Sequence, residues 1–164
     1  MLKNYTSSVP VAQSIARIEQ VLLKSGVTGI TKEYGTNQKI LALIFHVKMP
    51  IEGLSVQSVS VRLPAKEEQC IEAMWRDYMG DDLLPDGQVK WGSRKKLRRK
   101  DFVEQGERTA WKLMQDWVEV QMSFIHMGQV ETMEVFLPFV WDGQRTFFEA
   151  LKVNQFKQLS AGGT

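Results

Sequence analysis

Residues 27–63 read VTGITKEYGTNQKILALIFHVKMPIEGLSVQSVSVRL, three runs rich in β-branched and apolar residues separated by two breaks. Strands send alternate side chains to opposite faces and are punctuated by turn residues. The spacing therefore predicts extended segments over 27–34, 39–49 and 54–63. Gly35-Thr36-Asn37-Gln38 and Pro50-Ile51-Glu52-Gly53 read as hairpin turns, so the three strands form an antiparallel sheet. The middle run is apolar at consecutive positions, ILALIF over 40–45, as a central strand covered on both faces requires. In the third run Val59, Val61 and Leu63 share a face, whereas Leu54 and Val56 fall out of phase, which predicts a bulge near Gln57.

Helical patterns flank the sheet. Val11, Ile15, Ile18 and Leu22 recur at helical spacing, with Ser7 or Ser8 as N-cap, Pro10 in the first turn and Gly26 as the stop, predicting a helix over about 10–25. Pro64 closes the third strand, and Ile71, Met74, Trp75 and Tyr78 predict a second helix over 66–79 that ends at Gly80. The fold class is α+β: an αβββα module over 1–79, then a long helix and two short C-terminal helices.

Residues 80–97 hold Gly80, Pro85, Gly87 and Gly92 with little periodicity and read as a long loop, which is usually functional or mobile. From Asp101 to Met127, Val103, Gly106, Ala110, Leu113, Trp117, Val120, Phe124 and Met127 follow a 3-4-3-4 spacing, and Trp111, Met114, Val118, Met122 and Ile125 widen the apolar face. That helix would be about 40 Å long and needs cover from the later helices or from a second subunit. Asp101 and Glu104 read as its capping box. The exposed-side spacing of Glu104, Arg108, Lys112 and Asp116 supports the helix through i, i+4 pairs. Helices over 131–139 and 146–156 follow, split by Pro138 and an Asp142-Gly143 turn, within a helical region over 101–158 that packs on the first module or on a second subunit. The tail 159–164 is expected to be disordered.

Charge is the second organising feature. Seven of the eleven residues from Lys90 to Lys100 (KWGSRKKLRRK) are basic in a chain of formal net charge +2. The net charge is 0 over 1–85, +6 over 86–100 and −4 over 101–164. The chain is dipolar rather than uniformly basic. Clustered Lys and Arg neutralise phosphates and release counterions, and an aromatic among them stacks on exposed bases. Lys90, Trp91, Arg94, Lys95, Lys96, Arg98, Arg99 and Lys100 are accordingly the candidate nucleic-acid-binding residues, DNA or RNA, within a basic loop over 80–100. Basic residues just ahead of a helix oppose its dipole, an arrangement that a bound phosphate relieves.

The αβββα order resembles the layout of a double-stranded RNA-binding domain. That family carries a lysine cluster at the start of its second helix, where this chain has Pro64-Ala65-Lys66-Glu67-Glu68, and the family's histidine-bearing hairpin is missing. The expectation is a shared layout without the shared binding surface. Residues 107–143, with ERTAWKLMQDWVEVQ over 107–121 and VFLPFVWDG over 135–143, resemble uncharacterised conserved proteins of bacteriophages and prophages. The resemblance implies a viral or mobile-element setting and brings no activity with it.

Catalytic and metal chemistry find little support. His46 and His126 have no partner at metal spacing, and Cys70 is the single cysteine, which matches a reducing compartment and excludes an internal disulfide. Gly-rich phosphate loops, HExxH and GxSxG are absent. No catalytic residue, metal or cofactor is expected. The longest apolar run is far short of the roughly 20 residues that span a bilayer, so a cytoplasmic protein without a membrane partner is expected, in the host cytoplasm if viral. The leading expectation is a non-enzymatic nucleic-acid-binding protein of low sequence specificity. The alternatives are an inhibitor or adaptor that binds a host protein or pairs as a homo-oligomer through Trp111, Trp117, Phe136, Phe139 and Trp141, and a protein that binds a nucleotide signal.

Overall fold

A computed structural model describes residues 4–49, 53 and 55–160. The order is α1 (Val11–Lys24), β1 (Thr28–Tyr34), β2 (Ile40–Met49), β3 (Gln57–Pro64), α2 (Glu67–Met79), α3 (Val103–His126), α4 (Thr132–Phe136), α5 (Phe147–Val153) and α6 (Lys157–Ser160). Short 3-10 turns occupy Gly80–Asp82, Arg99–Phe102 and Leu137–Phe139. The fold is α+β, with an N-terminal helix, a three-stranded antiparallel sheet and then helices. Among the described residues no helix is long and apolar enough to cross a membrane. The second expected hairpin turn lies largely outside the described residues, as does most of the tail.

The chain divides into two compact units, one of Met1–Ile18 with Ala65–Val118 and the other of Glu19–Pro64 with Glu119–Thr164. In the second unit the sheet order is β1-β2-β3. Leu43 faces Leu63, Phe45 faces Val61 and Val47 faces Val59 across the β2–β3 ladder. Leu43, Phe45, Val47, Val61 and Leu63 are buried, which is the face-sharing that period-2 alternation dictates. Phe136 of α4 meets Phe45 edge-to-face at 5.5 Å between ring centroids. The chain then returns to the β3 edge, where Val140 bridges Val61 and the Trp141 N–H donates to the Ser60 carbonyl at 2.9 Å. On the opposite sheet face Arg62 grips Glu33 through two hydrogen bonds of 2.8 and 2.9 Å.

Among the described residues the expected bulge near Gln57 is not seen. The β2–β3 register runs without interruption from Gln57, and Val56 lies ahead of β3, so its phase carries no constraint. The irregularities fall in β1, between Thr28 and Thr31 and between Glu33 and Tyr34. His46, opposite Ser60 in the ladder, shares a 3.1 Å hydrogen bond with the Ser60 hydroxyl, a cross-strand pair on the exposed face.

In the first unit α3 approaches α2 at Gly106, where an added Cβ would sit 2.4 Å from Ile71 Cγ1 and 3.0 Å from Ile71 Cα. Trp111 is fully buried and donates its indole N–H to Glu67 Oε1 at 2.7 Å. The N-terminal segment is tied to α3 by Asn4, whose side-chain amide donates to Asp116, and by the Thr109 hydroxyl donating to the Asn4 carbonyl. Lys112 and Asp116 pair at 2.8 Å, and Arg108 pairs with Glu104.

The covered face of α3 differs from the expected one. Gly106 and Ala110 are buried, but Leu113, Val120, Phe124 and Met127 of the same row are exposed. The buried positions beyond Ala110 are Trp111, Gln115, Val118 and Met122. At 3.6 residues per turn the two apolar rows are centred roughly 120° apart. They are therefore two faces rather than one widened face, and spacing alone does not choose between them.

Candidate nucleic-acid interface

The segment after α2 is built from consecutive tight turns. Leu83 and Val89 form an antiparallel bridge, the Leu84 N–H donates to the Gln88 carbonyl at 2.8 Å, and the Gly87 N–H donates to the Leu84 carbonyl at 2.9 Å. Pro85-Asp86-Gly87 is thus the tip of a small hairpin, with the Asp86 carboxylate accepting from the Gln88 N–H. A second turn follows at once. The Ser93 N–H donates to the Lys90 carbonyl at 3.2 Å, and Gly92 has a φ of +85° while Trp91 does not have a positive φ, the pattern of a type II turn.

Asp82 holds both ends of that turn. Its carbonyl accepts from the Lys90 N–H at 2.8 Å and its carboxylate accepts from the Ser93 hydroxyl at 2.9 Å. The Tyr78 hydroxyl then accepts from the N–H groups of Lys96 and Leu97 at 3.2 and 3.4 Å, and its ring lies 5.4 Å from that of Phe102. The stretch that the sequence reads as an unpatterned loop is therefore braced along its length. The Pro-Asp-Gly signature was present in the sequence as a hairpin signal. The contributions of Tyr78 and Asp82 carried no such signal, because a tyrosine at helical spacing reads as packing and an isolated aspartate reads as solvation.

The seven basic side chains of the run fall into two groups. Lys95 donates its ammonium to the carbonyls of Tyr78 and Met79 at 2.6 and 2.5 Å, capping the C-terminal end of α2. Arg99 reaches Glu68 at 2.6 Å and Glu72 at 3.0 Å. The Glu72 carboxyl is held below the usual carboxylate range by hydrogen bonds from Arg76 and then Arg99. Both cations are internal struts. Lys90, Arg94, Lys96, Arg98 and Lys100 are exposed, and among the described residues their cationic groups have no hydrogen-bond or ion-pair partner. Trp91 is 102 % exposed.

The helix start is capped one turn earlier than expected. The Asp101 carboxylate accepts from the Arg98 N–H at 2.7 Å, placing Asp101 third in the Arg99–Phe102 turn, while Glu104 engages Arg108. The 3-10 turn ahead of α3 is the reason, since it shifts the first unpaired N–H groups back to Arg98. The cost of crowding cations at this terminus is thereby partly offset inside the protein, through Asp101 and through the carboxylates that hold Arg99.

The aromatic candidates separate in the same way. Trp111 and Phe136, expected among interface anchors, are fully buried in the chain's own core, and a side chain with no exposed area offers a partner nothing to cover. Trp117, Phe139 and Trp141 are half-buried. Cys70 is half-buried, with its thiol pushed up by burial. Among the described residues no group of three or more His, Cys, Asp or Glu is placed to hold a metal ion. Comparison with known proteins finds no matching family model, no matching curated protein and no matching solved structure.

Proposed function

We propose that the chain is a non-enzymatic nucleic-acid-binding protein of low sequence specificity that contacts phosphates through Lys90, Arg94, Lys96, Arg98 and Lys100. The observation that carries this reading is the sorting of the basic run: among the described residues five exposed cations remain without partners beside a fully exposed tryptophan, on backbone pinned by Asp82 and Tyr78. A charge cluster that served solubility alone has no use for such bracing. A polyanion does, because cations held in place lose less freedom on binding than cations on a mobile tail. The viral or mobile-element setting implied by residues 107–143 belongs to the same proposal.

Filter-binding titrations of the wild-type chain with single-stranded DNA, duplex DNA and RNA at two salt concentrations test the reading. Affinity is expected to fall as salt rises for every nucleic acid that binds, as counterion release requires. Salt-insensitive binding, or none at low salt, counts against it.

A second reading has one observation in its favour. Val120 and Phe124 on α3, and Met127 directly after its last residue, follow i, i+4 and i+7 spacing and are exposed apolar residues in the second unit. In this reading they anchor a protein partner, a host protein or a second copy of the chain. Light scattering on the wild type and on a V120S/F124S/M127S variant distinguishes a self-association that these residues drive from a monomer.

A further inference from the structure

We infer that the loop selects single-stranded over duplex nucleic acid, with Trp91 as the platform on which one unpaired base stacks. The inference rests on the nucleic-acid reading above and narrows it. Of the five tryptophans, Trp111 is buried, Trp75, Trp117 and Trp141 are half-buried, and Trp91 alone has its whole surface in water. An indole is among the largest apolar surfaces a chain can remove from solvent, so one left fully exposed contributes nothing to the fold.

Its position is nevertheless tightly defined. Trp91 is the second residue of the Lys90–Ser93 turn, closed by the Ser93 N–H to Lys90 carbonyl hydrogen bond and by Gly92 at φ +85°. Asp82 fastens the turn through the Lys90 N–H and the Ser93 hydroxyl. The Ser93 hydroxyl also lies 3.3 Å from the Lys95 N–H, which joins the turn to the segment that Lys95 anchors on α2. An aromatic ring is thus carried on a fastened corner, flanked in sequence by the unpartnered cations Lys90 and Arg94.

The two forms of nucleic acid meet this corner differently. In a single strand the base faces are free, and each base that stacks on an aromatic side chain tightens binding about 5- to 150-fold. In a duplex the bases are already stacked on one another, and a tryptophan reaches them only by unstacking a step. The five cations act on both forms, through phosphates. The indole adds affinity only where a base is free, so it is the discriminating element.

Fluorescence anisotropy with a labelled oligothymidylate and a labelled duplex, at one low salt concentration, tests this on wild type, W91A, W91F and a K90A/R94A/K96A/R98A/K100A variant. W91A is expected to weaken oligothymidylate binding about 5- to 150-fold and to leave duplex binding within twofold. W91F is expected to recover most of the loss, because a π-face remains. Among the described residues Trp91 has no partner, so the melting temperature of W91A should equal that of wild type. The inference is overturned if W91A weakens both ligands by the same factor, or leaves the oligothymidylate unaffected. The underlying reading fails separately, if the quintuple variant binds both ligands as wild type does or if wild type binds neither.

Discussion

Lys95 and Met79 are joined by a 2.5 Å hydrogen bond from the lysine ammonium to the carbonyl oxygen at the end of α2. A residue from the middle of the basic run is therefore committed to closing a helix, and Arg99, clasped by Glu68 and Glu72, is committed likewise. K95A is expected to lower stability by about 0.3–1 kcal/mol, the scale of an exposed cation at a helix C-terminus. R99A is expected to cost about 0.2–1 kcal/mol, since its ion pairs are partly exposed. Neither should change the salt dependence of oligonucleotide binding. Urea titrations paired with binding isotherms check this, and a binding defect without a stability defect would remove the distinction between struts and contacts.

Gly106 allows α3 to pass Ile71 at a distance that a side chain would block. Alanine is the better helix former by about 1 kcal/mol, so propensity alone predicts that G106A stabilises. The contact predicts the reverse. The clash involves the Ile71 backbone as well as its side chain, and overpacking of this kind costs about 1–3 kcal/mol. A net loss in chemical denaturation is the expected result, and a rise in the denaturation midpoint is the contrary one.

The buried indole of Trp111 donates to the Glu67 carboxylate. W111F keeps a large aromatic ring but removes the donor and leaves a gap. A hydrogen bond to a charged group contributes about 1.5–3 kcal/mol, and a destabilisation of at least that size is expected. A W111F/E67Q double variant should lose less than the sum of the two single changes, because the two residues share one interaction.

Stability should fall in acid partly through Glu33 and Glu72. Arg62 hydrogen bonds hold the Glu33 carboxyl below its usual range against the opposing effect of burial, and Arg76 and Arg99 do the same for Glu72. Both folded values lie below the unfolded value of about 4.3. Their contribution is thus fully present above that value and is lost as pH falls through the folded ones. Melting temperatures of wild type and E33Q followed downward from neutral pH should converge in acid, and curves that stay parallel would contradict the assignment.

The sheet and its flanking helices were legible because each carries a single periodicity. Val11, Ile15, Ile18 and Leu22 repeat at helical spacing, and Val59, Val61 and Leu63 alternate, so each burial pattern has one solution. Helix α3 carries two apolar rows, and only the neighbour that arrives on Trp111 and Val118 chooses between them. The candidate site was half legible. Charge clustering located the loop, while the division between Lys95 or Arg99 and their neighbours depends on carbonyls and carboxylates brought in from α2, 16 to 31 residues away in sequence. Local sequence cannot report such partners.

The central claim is that five unpartnered cations on a braced loop bind a phosphate backbone. The most direct test is the slope of log affinity against log salt for oligothymidylate, measured for wild type and for K90A/R94A/K96A/R98A/K100A. With every cation on a phosphate, the slope should flatten by up to about 3.5 units for a single strand, with the melting temperature unchanged. An equal slope in the two proteins would contradict the claim.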